Sequence, residues 1–165
     1  MSSARNYGIE LADSKYIAFL DADDVLCRNI YDNTLAELLK SKHYDLLSFA
    51  WFTADQFLHR GNRYDQKDAG ERRCDELKMD CFKHVSSFIF RRGIFDGSIP
   101  LRFPERRKVR EDVTFLFLAF CQVEDVYNID KELFAYRNNS ASVLHGFSSY
   151  DWLMDECDKA WDWCK

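Results

Sequence analysis

A five-residue apolar run, Tyr16-Ile17-Ala18-Phe19-Leu20, ends abruptly in Asp21-Ala22-Asp23-Asp24. So short a continuous run suits a strand buried on both faces, as in a parallel sheet. Three carboxylates crowded at its end repel one another, and a divalent cation relieves that cost, Mg²⁺ in particular being held by one or two carboxylates plus substrate phosphates. In α/β sheets ligands bind beyond the carboxyl ends of strands, where these acids fall. A helix start would explain one aspartate as a cap, but not three in four residues. The run therefore predicts an α/β fold with metal or phosphate chemistry at the strand's end.

The flanking sequence keeps a helix-then-strand alternation. The pattern predicts a helix over Ala4–Ala12, a helix from Ile30 to Lys40 burying Leu35, Leu38 and Leu39, and a strand from Asp45 to Phe52. Thr53 to Asp80 is polar and reads as a surface excursion carrying short strands. Apolar structure resumes at Val85–Phe90 and Ile94-Phe95. A basic loop from Ser98 to Arg110 holds both prolines and Arg102, Arg106, Arg107, Lys108 and Arg110. An apolar run follows Glu111-Asp112, then a strand near Glu132–Arg137. A helix from about Tyr150 carries Leu153, Cys157, Ala160, Trp161 and Cys164 on one stripe, with Trp152 and Trp163 off it. The expected division is a main domain over 1–146 and a terminal helix over 147–165 packing on it.

Composition removes several classes. With 47% hydrophobic and 16% aromatic residues the chain is too apolar for disorder, and 165 residues suit about one domain. A net charge of −5 gives no support to nucleic-acid binding. No apolar stretch approaches the roughly 20 residues of a spanning helix, and the opening MSSARNYGIE lacks the apolar core of a secretory signal. The six cysteines, Cys27, Cys74, Cys81, Cys121, Cys157 and Cys164, include no CxxC pair. They are expected to be reduced and structural, Cys121 behaving as a small hydrophobe within its apolar run, in a cytoplasmic protein.

Three chemistries compete for the aspartates. A calcium loop counted from Asp21 needs glycine at the sixth position, where Leu26 stands, with Asp32 at the twelfth. A haloacid-dehalogenase-like phosphohydrolase has a DxDx[TV] motif that Asp21-Ala-Asp-Asp-Val25 resembles. Asp21 would then be the nucleophile and Asp23 the acid/base, with Lys108 and Glu111-Asp112 completing the site. The third reading is a glycosyltransferase DxD motif.

The residues before the strand discriminate. Ser3-Ala-Arg-Asn-Tyr-Gly-Ile-Glu-Leu-Ala12 followed by Tyr16-Ile-Ala-Phe-Leu-Asp-Ala-Asp-Asp24 closely resembles the family 2 glycosyltransferases of GT-A fold. Their block reads approximately ARNxGIxxAxGxYIxFLDxDD, with Asp13-Ser14 here replacing a usual glycine. Arg110-Glu-Asp-Val-Thr-Phe115 resembles the family's ED motif, and Tyr136-Arg137 with Ser140–Val143 its YR…S segment.

The resemblance implies a partial GT-A, Rossmann-like mixed sheet flanked by helices, without the family's N-terminal nucleotide-binding strands. It implies transfer of a sugar from a nucleotide-diphosphate sugar to an acceptor hydroxyl with inversion, in bacterial envelope or capsule polysaccharide synthesis. Asp23 and Asp21 would bind Mn²⁺ or Mg²⁺, and Asp21 and Arg5 the nucleotide sugar. Asp112 would be the general base, positioned by Glu111, with His145 a weaker candidate for a late metal ligand. The acceptor would be a glycan or lipid-linked sugar, which brings peripheral contact at the inner face of the membrane. The alternative is a non-catalytic remnant that forms a homo-oligomer through an exposed sheet edge or the Trp-rich helix.

Overall fold

Adjacent residues of the same strand enter different cores, and that alternation sets the layers. A computed structural model of the chain describes residues 1–28, 32–41, 44–55, 57–64, 70–73, 84–105 and 111–138. Among the described residues three α-helices, α1 (Ser2–Leu11), α2 (Asn33–Ser41) and α3 (Glu111–Phe120), flank one mixed sheet. Its strands are β1 (Tyr16–Ala18), β2 (Val25–Leu26), β3 (Leu46–Ala54), β4 (Arg60–Tyr64), β5 (Gly70–Arg73), β6 (Phe88–Arg91) and β7 (Asp125–Arg137).

The principal order is β1-β6-β3-β7-β2, with β4 beside β3 and β5 beside β7. Only β3 and β7 pair in parallel among the described strands; the other pairs are antiparallel. The lower half of one edge of β3 takes β6 and the upper half takes β4. β7 is likewise shared, β5 beside its first residues and β2 beside Phe134 and Ala135. Register shifts against Ala50 and Trp51 mark bulges in β7 between Ile129 and Phe134, and they bend its far end.

One face of the sheet packs on α1 and α3. Leu46 of β3, Phe88 and Phe90 of β6, and Val126 of β7 meet Ile9, Phe115, Leu116 and Ala119 there. Leu47 and Phe49 of β3, Ile89 of β6 and Phe134 of β7 face the other way, onto Leu35 and Tyr44 beside α2. Phe19, just past β1, has its ring 5.0–6.4 Å from those of Phe90, Phe95, Phe103 and Phe115, all edge-on. Buried Ser48 donates its hydroxyl to Asn128, joining β3 to β7 within the apolar layer.

Several expectations shift. The strand ending at the aspartates is shorter than its apolar run, and it is not buried on both faces within a parallel sheet. β1 lies at the sheet edge with Tyr16 half-buried and Ala18 exposed, because its one described neighbour is the antiparallel β6. The first two helices begin and end within three residues of their expected bounds, and Leu35 is buried while Leu38 and Leu39 are half-buried. The polar excursion does carry two short strands, β4 and β5.

Cys121 is exposed at the end of α3, where the apolar face has already turned inward, and is not a core residue. Cys27 is half-buried, and burial with the nearby Glu132 charge pushes its thiol up, which suits an inert thiol. The terminal helix from Tyr150, the 147–165 unit, His145, Ser140–Val143 and the basic residues 106–110 lie outside the described residues. Among the described residues no helix is long and apolar enough to cross a membrane.

The ring cluster sets the first testable outcome. Phe90 is fully buried among four aromatic rings, whereas Phe57 at the β3–β4 turn is 71% exposed. Phe90→Ala should cost about 3–5 kcal/mol of unfolding free energy, and Phe57→Ala about 0.5 kcal/mol or less. Urea denaturation of both variants checks this, and similar midpoints would contradict the assigned core.

Candidate active site

The first helix places Arg5 beside two acids far apart in sequence. Arg5 Nη2 donates to Asp21 Oδ1 at the end of the first strand run. Arg5 Nη1 donates to Glu111 Oε1 at 3.1 Å, across 106 positions of chain. Side-chain exposure is 11% for Arg5, 10% for Glu111 and 35% for Asp21, so the guanidinium closes the inner side while Asp21 faces outward. The Arg5 guanidinium also lies 5.0 Å from the centre of the Phe103 ring, a cation–π contact.

Asp21 to Asp24 forms a turn in which the Asp24 N–H donates to the Asp21 carbonyl at 3.1 Å. β2 follows at once and pairs with Phe134 and Ala135, and the Cys27 N–H donates to the Leu133 carbonyl at 2.9 Å. Within this turn Asp23 is exposed and Asp24 buried. Asp24 Oδ1 accepts the Arg137 backbone N–H at 3.1 Å, tying the turn to the end of β7. Burial, against the pull of that N–H and with help from the charges of Asp21 and Asp23, lifts the Asp24 carboxyl to about 7. The Arg137 Nε is buried without a hydrogen-bond partner among the described residues.

Glu111 and Asp112 open α3, where acidic residues complement the helix dipole. That placement does not exhaust them, because Glu111 is buried and bridged to Arg5. Asp112 accepts the Val113 N–H at 2.9 Å. Burial and the neighbouring Glu111 charge raise its carboxyl to about 6, with Val113 and Arg5 opposing and Asp21 adding slightly. A carboxylate tuned in this way holds a proton more tightly than an exposed one and is a better general base near neutral pH.

The structure thus brings Arg5, Asp21 and Glu111 into direct contact, with Asp112 beside them and Asp23 two residues from Asp21. Among the described residues no three His, Cys, Asp or Glu side chains gather into a metal cage. Two carboxylates from one turn, one of them exposed, fit the pattern in which a hard cation takes few protein oxygens and completes its shell with phosphates and water. Arg102 is turned away from this site, donating to the Phe95 and Leu101 carbonyls at 2.8 and 2.9 Å. Sequence reading gives no individual role to Asn6 or Arg137 and takes Asp24 only as one of three crowded acids. All three stand in the quoted motif blocks, but only the fold shows what each touches.

This is a GT-A-like α/β arrangement, with acids at the carboxyl end of a strand facing acids at the start of a crossing helix. The family model described as Glycosyl transferase family 2 matches residues 1–104, and the chain belongs to that family. It is 28% identical over 164 residues to the uncharacterized glycosyltransferase EpsJ of Bacillus subtilis (strain 168), covering 94% of this chain and 46% of EpsJ. Minor teichoic acid biosynthesis protein GgaB of the same organism is 28% identical over 159 residues, covering 93% of this chain and 17% of GgaB. The chain therefore spans less than half of either curated relative. Among solved structures, S. aureus TarS 1–349 in complex with UDP-GlcNAc matches with a TM-score of 0.72 at 16% identity, over 90% of this chain and 42% of TarS 1–349. The UDP complex of the same TarS fragment gives 0.67 at 18% identity, over 84% and 40%.

The buried Asp24 yields a prediction for the metal-free chain. Its native pKa of about 7 lies above the ordinary value of 3.8, so the folded state binds more protons than the unfolded state between them. Stability must then fall as pH rises through that window. Asp24→Asn keeps an oxygen for the Arg137 N–H and cannot ionise. Denaturation at about pH 5 and about pH 8 should show a shallower fall for Asp24→Asn than for the wild type. Equal slopes would contradict this account.

Proposed function

We propose that this chain carries the donor-metal and base portion of a glycosyltransferase that moves a sugar from a UDP-sugar to an acceptor hydroxyl in cell-wall or envelope polysaccharide synthesis. The observation that supports it most is the Arg5 bridge, which holds Asp21 and Glu111 in one site. The relatives named for glycosyl transfer and teichoic acid synthesis, and TarS crystallised with UDP-GlcNAc, support the substrate class.

In this reading Asp112 takes the acceptor hydroxyl's proton as the oxygen attacks the anomeric carbon. The bond from that carbon to the diphosphate oxygen breaks, its electron pair leaves with the nucleoside diphosphate, and the configuration inverts. Glu111 keeps its bond to Arg5 and holds the start of α3, so that Asp112 faces the donor side. Asp23 and Asp21 would hold Mn²⁺ or Mg²⁺, which when bound supplies stabilisation of the leaving diphosphate's charge. Arg5 contributes fixed positive charge on the same side. Membership of family 2 favours these roles over the phosphohydrolase reading of Asp21 and Asp23.

Calorimetric titration of UDP, with GDP as comparison, with and without Mn²⁺, tests the reading. Metal-dependent UDP binding that Asp23→Ala abolishes is the expected result, and no binding to a cooperatively folded chain would sink it. If turnover is present, Asp112→Asn should lower it by about 10²–10⁴. The wild-type rate should rise with pH through about 6 as the Asp112 carboxyl loses its proton. A flat profile across that range would remove Asp112 as the base.

A second reading, a non-catalytic chain that self-associates, draws on the edge position of β1, whose outer side has no described strand beside it. Tyr7 and Leu11 of α1 are 62% and 66% exposed. Sedimentation equilibrium of the chain alone separates the readings. A concentration-dependent dimer that Leu11→Lys dissociates would support self-association, and a monomer that binds UDP would support the transferase.

A further inference from the structure

Asn6 stands next to Arg5 in α1, yet the chemistry proposed above gives it no part. It is buried, and both ends of its amide are used on the backbone of one residue. Asn6 Oδ1 accepts the Phe103 N–H at 2.8 Å, and Asn6 Nδ2 donates to the Phe103 carbonyl at 2.9 Å. The same Nδ2 lies 3.3 Å from Glu105 Oε1. A side chain that pairs with both backbone groups of one residue substitutes for a strand neighbour where the chain has no regular structure, and it fixes that residue in position and rotation.

What Phe103 then does connects the clamp to the acids. Its ring stacks on Phe115 at 3.8 Å and 3°. Phe115 is one helical turn beyond Glu111, so the two share a face of α3. Glu111 returns to Arg5, whose guanidinium also packs over the Phe103 ring. Arg5, Asn6, Phe103, Phe115 and Glu111 form a closed circuit with two consecutive residues of α1 at its start. α1 itself is placed independently, by fully buried Ile9.

We infer that Asn6 is a positioning residue for the transfer reaction: by clamping the Phe103 backbone on both sides of its Cα it sets where the first turn of α3, and hence Glu111 and Asp112, stands relative to Asp21. It touches neither donor nor acceptor. Losing the clamp frees Phe103 to turn, and the Phe115 stack and the cation–π contact with Arg5 loosen together. The acid turn Asp21–Asp24 is held separately, through β2 and the Arg137 N–H, and stays in place. The inference rests on the proposed transferase function only for its kinetic consequence.

The test uses the whole 165-residue chain and two variants, Asn6→Ala and Asn6→Asp; the latter keeps the acceptor, loses the donor, and faces Glu105 with a like charge. Backbone hydrogen exchange is measured without ligand. The expected result is lost protection at Phe115 and Leu116, whose amides close the first turns of α3, in either variant, and at Phe103 in Asn6→Ala, with β3, β6 and β7 protected as in the wild type. Unchanged protection at Phe115 and Leu116 would overturn the inference, as would uniform loss across the sheet, which marks an ordinary fold residue. The second arm follows UDP release from UDP-GlcNAc with Mn²⁺, beside calorimetric UDP affinity. A fall of roughly 10- to 100-fold in kcat with UDP affinity within about twofold is expected; a matching loss of UDP affinity would count against positioning. A wild type without turnover speaks against the transferase reading alone, and the exchange arm still decides on Asn6.

Discussion

One guanidinium holds the site together. Asp21, Glu111 and Asp112 crowd a small volume, and like charges that close repel strongly in a partly dry environment. Arg5 offsets two of them directly, with planar donors that a lysine could not aim in two directions at once. Every other element of the site is arranged to keep that pairing possible. α1 lies against the sheet through Ile9, the strand run delivers Asp21, and α3 starts with Glu111 aimed back toward α1. The apolar side of the same problem is solved by aromatic rings, since Phe103 and Phe115 pack beneath the ion pairs and exclude water from their inner side.

How much of this was legible in the sequence varies with the range of the interaction. The helix over the first residues, the strand at residues 46–54 and the alternation of layers follow from local apolar periodicity, and they stand close to where that periodicity puts them. The family block from Ala4 to Asp24 marked Arg5, Asp21 and Asp23, and the Glu111-Asp112 pair was visible as an acidic helix start. What could not be read was who meets whom. Nothing local says that Arg5 spans Asp21 and Glu111, or that Asn6 takes both backbone groups of Phe103, because both depend on a fold that closes about a hundred residues of chain.

Two misreadings have the same physical root. The apolar run at residues 16–20 reads as a strand interior to a parallel sheet, since hydrophobicity alone cannot distinguish burial by strands on both sides from burial by one strand and a cluster of rings. Phe19 satisfies its apolar character against four phenylalanines outside any strand pairing. Cys121 shows the converse: an apolar run continues past the point where the helix carrying it has turned a face to solvent. Asp24, by contrast, looked like one more acid in a cluster. Its backbone partner across the sheet makes it a buried tether, while its neighbour Asp23 stays exposed.

The bulges of β7 carry a consequence of a different kind. Between Ile129 and Phe134 this strand spends extra residues against β3, and Asp130, Lys131 and Glu132 reach Arg63, Asp32 and Arg60. Beyond them, Ala135 stands in register with Val25, and the Arg137 N–H meets the Asp24 carboxylate. The strand thus works as a ruler whose count sets which backbone N–H meets the acid turn. Side chains alternate faces with every residue, so adding or removing one position between Ile129 and Arg137 would turn Phe134 and Tyr136 out of their core and offer Asp24 the wrong amide. Along this stretch the site is more sensitive to length than to composition.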